Sequence, residues 1–161
     1  KLLTVVIFLK MKLALFKNGE KNQIAGNNKN KTMNIEGTKV TTQKSAKEIF
    51  TYFTELSNFE NLMPENIQKF EVDGDSFIFG LKGMPEIRLI LKNKTEYSNI
   101  TLGAASSKLP FTLAANIEEV TENSSSVQLQ FDGEFNAMMA MMIKAPLTKF
   151  VDTLTEHIAK L

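Results

Sequence analysis

The sequence predicts an α+β domain in which a long C-terminal helix lies across a curved antiparallel sheet of about seven strands. Three observations support this prediction. Apolar residues recur at every second position through most of residues 67–135, which is the period of a half-buried strand. Short turn signals separate these segments, so neighbouring strands are expected to run antiparallel. From Ala137 to Leu161 the apolar spacing becomes that of a helix.

The domain is predicted to begin with one strand and two short helices. Residues Asn34 to Gln43 are typical of a strand because they are rich in Thr and Val. Ser45 and Glu48 then form the Ser-x-x-Glu pattern of a capping box, which predicts a helix start. A second helix is expected from Ser57 to about Met63, since the following Pro64 disfavours helical backbone at the residue before it.

Six strands are predicted next, each with one apolar and one polar face. Asp73-Gly74-Asp75 is a hairpin signal, and further turns are expected at Gly83-Met84-Pro85, Tyr97-Ser98-Asn99, Ser106 to Pro110 and Asn123 to Ser126. The apolar faces include Phe70, Val72, Phe77, Phe79, Leu81, Ile87, Leu89, Leu91, Ile100, Leu102, Ala104, Phe111, Leu113, Ala115, Ile117, Val127, Leu129, Phe131 and Phe135.

The final helix is predicted to cover the apolar face of the sheet. Pro146 is expected to kink or restart this helix, because proline removes one helical hydrogen bond and clashes with the preceding turn. Ahead of it stand four methionines, whose unbranched side chains adapt to irregular space. The apolar stripe consists of Leu147, Phe150, Val151, Leu154, Ile158 and Leu161, and the methionines are Met138, Met139, Met141 and Met142.

Length and charge suit a single globular domain that does not bind nucleic acid. The chain has 161 residues, of which 43% are apolar and 23% are charged. Residues 1–32 carry seven Lys and one Glu, a sum of +6, so the overall +1 leaves −5 for residues 33–161. A nucleic-acid-binding domain would carry a basic patch with interleaved aromatic residues. No such patch is predicted, and no nucleic-acid partner is expected.

Residues 1–32 are interpreted as a disordered or non-native N-terminal extension, with a single domain over residues 33–161. The apolar run from Leu2 to Leu9 is too short and too soon interrupted by lysines to span a membrane. A polar tract follows it without a convincing signal-peptide cleavage site. No stable membrane insertion is therefore predicted.

Catalytic and metal-binding residues are not predicted. The chain has no cysteine, which excludes disulfides and thiolate chemistry and fits a cytoplasmic location. His157, the sole histidine, falls at the margin of the apolar stripe, and one histidine without cysteine is a poor start for a zinc site. Glu118 and Glu119 are expected on opposite faces of a strand, and Ser106-Ser107-Lys108 lacks a third orienting group. We therefore expect no metal and no cofactor.

Three segments resemble a known superfamily. Ser45 through Phe53 looks like the family's first helix, and Asn58 through Pro64 looks like its second. Phe131-Asp132-Gly133-Glu134-Phe135, before Met138, resembles the last strand entering the long helix. Together with the element order, these segments resemble the helix-grip fold of the START and polyketide-cyclase superfamily (SRPBCC), which includes the birch-pollen-allergen-like proteins. The resemblance covers residues 33–161 and implies a cavity for hydrophobic small molecules between sheet and helix.

The function predicted is binding or carriage of a hydrophobic small molecule, either a lipid or an aromatic metabolite. One alternative is a cyclase-like or hydrolase-like enzyme in the same cavity, which needs an inward polar or ionisable group. Another is a structural or protein-interaction module whose cavity is closed by side chains. The oligomeric state is left open. The residues predicted to contact the ligand are Phe53, Phe77, Phe79, Leu89, Leu91, Phe111, Leu113, Phe131, Met138 and Met142.

Overall fold

The sheet and the long C-terminal helix are both present in a computed structural model, which describes residues 30–82, 86–107 and 110–161. The fold is α+β, with an antiparallel sheet of eight strands. The elements in chain order are β1 (Lys31–Glu36), β2 (Val40–Thr42), α1 (Ala46–Thr54), a 3₁₀ helix (Leu56–Leu62), β3 (Ile67–Asp73), β4 (Ser76–Leu81), β5 (Ile87–Thr95), β6 (Asn99–Ala104), β7 (Phe111–Thr121), β8 (Ser124–Phe135) and α2 (Ala137–Ala159).

The sheet is a meander that returns to the first strands. From β3 to β8 each strand pairs antiparallel with the next one in the chain, as the short predicted turns require. Strand β8 then pairs on its other side with both β1 and β2. The register places Ile35 opposite Phe131 and Val40 opposite Val127. Helix α2 therefore begins directly after β8, the strand that pairs with β7 on one side and with β1 and β2 on the other.

The first predicted strand is divided in two at Gly37. Its amide donates to the carbonyl of Leu129 over 2.8 Å, and β2 begins only at Val40. A Cβ at Gly37 would lie 3.0 Å from Cγ1 of Val151 and 3.2 Å from Oγ1 of Thr155. The chain thus leaves the regular ladder where it passes closely beneath helix α2, and glycine makes that approach possible. Sequence alternation alone does not reveal such a contact.

The capping box that begins α1 is present as predicted. The backbone amide of Glu48 donates to Oγ of Ser45 over 3.2 Å, and the Ser45 amide donates to Oε2 of Glu48 over 2.8 Å. The hydrogen bond from the Ser45 backbone stabilises the carboxylate and lowers the pKa of Glu48. The second predicted helix is a 3₁₀ helix that ends before Met63. Its start is held by Asn58, whose side-chain amide donates to the carbonyl of Tyr52 over 2.9 Å.

Two predicted turns each contain a residue with positive φ, and a third turn is shorter than predicted. Gly74 has a φ of 56°, as a tight Asp-Gly hairpin requires. Tyr97 has a φ of 61°, an unusual value for a bulky residue, and its ring packs edge-on against Phe50 at 5.6 Å. The predicted turn from Asn123 to Ser126 ends earlier, because β8 begins at Ser124.

A buried polar cluster explains why β8 extends into that predicted turn. Pairing with β2 buries Thr42 and Ser125, whose hydroxyl groups lie 3.3 Å apart. The Ser125 hydroxyl also donates to the carbonyl of Lys44 over 2.8 Å. Polar residues are tolerated at this depth because their hydrogen bonds are made within the protein.

Helix α2 runs without interruption from Ala137 to Ala159, so Pro146 lies inside it and does not restart it. Asn136 caps the helix by accepting a hydrogen bond from the Met139 amide over 2.8 Å. Beyond Pro146 the helix is anchored by side chains that are almost completely buried, namely Val151, Leu154 and Ile158.

Several predictions concern residues that the structure does not describe. The proposed extension falls there over residues 1–29, as do the turn at residues 83–85 and Lys108 of the candidate Ser-Ser-Lys motif. Strand β1 includes Lys31 and Thr32, two residues before the predicted domain start. The division at residue 33 remains a prediction. Among the helices that are described, none is both long enough and apolar enough to cross a membrane.

Candidate ligand-binding site

The candidate site lies where the inward face of the sheet meets α1, the 3₁₀ helix and α2. Inward side chains come from the central strands because cross-strand partners share a face; for example, Leu102 of β6 is paired with Leu113 of β7. All ten side chains around the remaining internal space are apolar. They are Phe53, Phe59, Leu62, Ile100, Leu102, Leu113, Ala115, Leu129, Leu154 and Ile158.

This internal space is almost filled. Its volume is about 10 Å³, which is near the lower limit for holding one water molecule. The residues around it are tightly buried, with Phe53, Leu62 and Ile158 each 1% exposed. In the conformation described, the site is therefore a closed apolar core, and a ligand has to displace side chains to enter.

Aromatic rings form one side of this core. Phe59 of the 3₁₀ helix stacks on Phe53 of α1 at 5.8 Å and on Phe77 of β4 at 5.3 Å between ring centroids. Phe79 lies further along the same strand and stacks on Phe150 of α2 at 5.8 Å, with the two rings nearly parallel. Aromatic contacts thus connect α1, the 3₁₀ helix, the sheet and α2 in one continuous series.

Phe150 differs from the other rings of this series because it is only half-buried. It packs against the core from the C-terminal helix, together with Leu147 and Met142, which are also half-buried. These side chains lie on the side of α2 that faces the core but retain contact with solvent. Among the apolar side chains of α2 that face the core, these three are the least buried.

Nine of the ten predicted contact residues belong to the core or pack against it. Phe53 and Leu113 line the residual space itself. Their neighbours Phe77, Phe79, Leu89 and Phe131 are buried in the core, whereas Leu91, Phe111 and Met142 are half-buried against it. Contact with a ligand remains a proposal for each of them.

Met138 is the exception, and its predicted inward orientation is wrong. Its side chain is 71% exposed, while Met139, Ala140 and Ile143 are buried. The cap at Asn136 fixes where the helix starts and so sets which residues of its first turns face the sheet. Four methionines close together in sequence do not show which of them face the core, and in the structure Met138 and Met141 are the two that are exposed.

Eight lining residues were not among the predicted contacts, although the sequence pattern indicates for most of them that the side chain faces inward. Ile100, Leu102, Ala115 and Leu129 lie at alternating positions of predicted strands, and Leu154 and Ile158 lie on the predicted helical stripe. Phe59 and Leu62 belong to the short 3₁₀ helix. Its three-residue period brings these two positions to one side.

Polar side chains with possible chemical roles, including His157 and Glu118, lie outside the apolar wall. His157 is half-buried, and its Nδ1 lies 2.8 Å from the carbonyl oxygen of Leu62, which ties α2 to the 3₁₀ helix. Arg88 donates to the Ser76 hydroxyl over 2.7 Å. Glu118 is exposed and pairs with Lys39. Within the described ranges, no three His, Cys, Asp or Glu side chains come together as a metal site would require.

The fold is shared with solved structures at low sequence identity. Norcoclaurine synthase from Thalictrum flavum, in complex with dopamine and hydroxybenzaldehyde, matches with a TM-score of 0.62 at 12% identity, over 88% of this chain and 97% of that chain. A START superfamily protein from Mycobacterium smegmatis matches with a TM-score of 0.58 at 12% identity, over 79% and 94%.

A third similar structure is the protein XoxI from Bacillus cereus, with a TM-score of 0.57 at 10% identity, over 76% of this chain and 93% of that chain. Neither a protein-family model nor a curated protein matches the sequence. These similarities establish the START-like helix-grip fold that the sequence resembles. They do not identify a ligand.

Proposed function

We propose that this protein of START-like fold binds a small apolar molecule between the inward face of its sheet and helix α2. One observation carries the proposal: the ten side chains around the internal space are all apolar and come from every layer of the fold. Such a wall favours an uncharged ligand, because a charged group would lose its hydration without gaining a partner. The ligand class is a lipid or an aromatic metabolite.

Binding requires the core to open, and helix α2 is suited to this. Pro146 has no amide hydrogen, so the carbonyl of Met142 lacks its usual partner within the helix. Beside this position lie the half-buried side chains of Met142, Leu147 and Phe150. We propose that Phe150 moves away from Phe79 to admit a ligand toward the internal space, while Val151 and the buried residues after it keep the end of the helix attached.

The proposal can be tested with N-phenyl-1-naphthylamine, an uncharged apolar probe whose fluorescence increases in apolar surroundings. The informative variant is Ala115→Leu, which adds volume to the lining of the internal space. The matched control is Ala114→Leu, because Ala114 is the preceding residue of β7 and its side chain points to the opposite face. Thermal unfolding of both variants verifies that each is folded, since overpacking costs about 1–3 kcal/mol.

The wild-type protein is expected to bind the probe in a saturable manner, and Ala115→Leu is expected to weaken binding at least tenfold while Ala114→Leu does not. The proposal fails if the folded wild-type protein does not bind the probe. It also fails if both variants bind as the wild type does, since the probe would then occupy another site.

A second candidate function is a ligand-free structural or protein-interaction module. The observation that favours it is the volume of the internal space, about 10 Å³, which is too small for any organic ligand without rearrangement. In this case the apolar side chains serve stability alone. A core that excludes the probe and also excludes smaller apolar molecules such as xenon would support this candidate.

An enzyme that uses the same space is less well supported. A synthase is among the proteins of similar fold, so the fold permits catalysis. General acid–base chemistry nevertheless requires a positioned proton donor or acceptor, and none of the ten lining side chains is ionisable. We therefore propose binding rather than turnover, and we propose a cytoplasmic location because the chain contains no cysteine.

A further inference from the structure

We propose that the outward face of the first half of α2 docks onto the surface of an anionic membrane. This face, called here the methionine face, combines exposed apolar side chains with two lysines. Its members are Ala137, Met138, Met141, Lys144, Ala145 and Lys149.

The methionine face carries apolar side chains that do not contribute to the core. Met138 is 71% exposed and Met141 is 83% exposed, although both are large apolar side chains. Their spacing of three residues places them on one side of the helix, and Ala145 continues that side one turn later. Met139 and Ile143 face the opposite way and supply the contacts that attach this half of the helix to the sheet.

The positive charge of the methionine face favours an anionic lipid surface over an uncharged apolar partner. Lys144 and Lys149 line a shallow groove together with Met141, Ala145, Thr148 and Asp152. From residue 136 to residue 151 the chain contains no acidic residue. Asp152 is the one acidic residue that lines the groove, against two lysines, so the groove keeps a net positive charge. Residues 33–161 carry −5 overall, so a local positive face would orient the domain toward an anionic surface.

The side chains suit the boundary between lipid headgroups and acyl chains. Lysines can extend their charged ends to the phosphate groups while their aliphatic stems lie beside apolar residues. Flexible thioethers such as Met141 can insert into disordered lipid without a shaped pocket. Because no described helix is suited to crossing a membrane, docking would be peripheral and reversible.

Docking at this face would place the membrane against the part of α2 that has to move for a ligand to enter. An apolar ligand could then pass between bilayer and core with little exposure to water. This consequence rests on the proposed ligand binding. Docking itself does not, because vesicle binding can be measured on the protein without any ligand.

The test is co-sedimentation of the full chain with vesicles of phosphatidylcholine alone or of equal parts phosphatidylcholine and phosphatidylglycerol. The variants are Met141→Glu and Lys144→Gln. The matched control is Val120→Glu, because Val120 is also apolar and 55% exposed but lies in β7. Circular dichroism confirms folding, and sedimentation velocity reports the oligomeric state of each protein.

The wild-type protein is expected to bind the anionic vesicles more tightly than the neutral ones, and less tightly as salt is raised. Met141→Glu should weaken binding about tenfold and Lys144→Gln about fivefold, the latter from the loss of one basic contact. Val120→Glu should have a much smaller effect.

Equal binding to both kinds of vesicle would overturn the electrostatic argument. If Met141→Glu binds vesicles as tightly as the wild type, another part of the chain is responsible for membrane binding, and the proposal for the methionine face is wrong. A wild-type dimer that becomes monomeric in Met141→Glu and does not bind vesicles would show instead that the methionine face joins two copies of this protein.

Discussion

At Gly37 the backbone of the sheet passes close beneath helix α2. A Cβ there would lie 3.0 Å from Val151 Cγ1, 3.2 Å from Thr155 Oγ1 and 3.3 Å from the carbonyl oxygen of Leu129. Val151 is fully buried and Leu129 contributes a backbone atom, so neither neighbour can easily yield. At the residue scale, this one missing side chain allows the second half of α2 to lie against β1.

Gly37→Ala is therefore expected to lower the free energy of unfolding by about 1–3 kcal/mol, as overpacking does in a close-packed core. Gly80→Ala is the matched control, since a Cβ at Gly80 would be 3.5 Å from Glu86 Cγ, an ordinary contact. Chemical denaturation of both variants measures the difference. Equal stability of the two variants would show that α2 is not held tightly at Gly37.

The positions of some individual side chains could be predicted from the sequence, and those of others could not. The cap at Ser45 and Glu48 was predictable because it depends on three consecutive peptide units. Met138 was placed wrongly because its orientation depends on the helix start at Asn136, and a run of methionines fits either phase. Gly37 was not singled out, since its role depends on Val151 and Thr155, more than one hundred residues later in the chain.

At the scale of elements, helix α2 has two unlike halves. The half after Pro146 buries Val151, Leu154 and Ile158 almost completely, and His157 ties it to the 3₁₀ helix. The half before Pro146 has a face of exposed methionines. The missing hydrogen bond at Pro146 lies between the two halves, and it is here that we propose the helix moves when the core opens.

Pro146→Ala should restore the hydrogen bond to the Met142 carbonyl and raise the stability of the helix by about 1–3 kcal/mol. Amide hydrogen exchange should slow in the residues around position 146, and uptake of N-phenyl-1-naphthylamine should slow with it. Asp152→Ala is the control, since it alters an exposed side chain of the same helix without adding a backbone bond. Faster exchange around position 146 in Pro146→Ala would contradict this account.

The order of elements could be predicted because each has a strong local signal. Alternating apolar residues identify β3 to β8, and the stripe from Leu147 onward identifies α2. Element ends were less predictable where tertiary contacts decide them. The start of β8 at Ser124 depends on pairing with β2, and the polar sequence there looks like a turn.

At the scale of the whole molecule, the fold brings an entirely apolar wall together from sheet, α1, 3₁₀ helix and α2. That most residues of this wall face inward could be predicted from the sequence, because apolar periodicity shows which side of each strand or helix is buried. The space between them was not, since a volume of about 10 Å³ depends on how closely Phe53, Leu62 and Ile158 approach the sheet. No periodicity in the chain encodes that distance.

The central claim is that an apolar molecule can be held beneath α2, and native mass spectrometry of the protein purified from cells tests it most directly. We expect a population with additional mass that is lost on denaturation, and which is reduced in Ala115→Leu but not in Ala114→Leu. A bare protein mass in every preparation, with no complex formed after addition of N-phenyl-1-naphthylamine, would contradict the claim and indicate a permanently filled core.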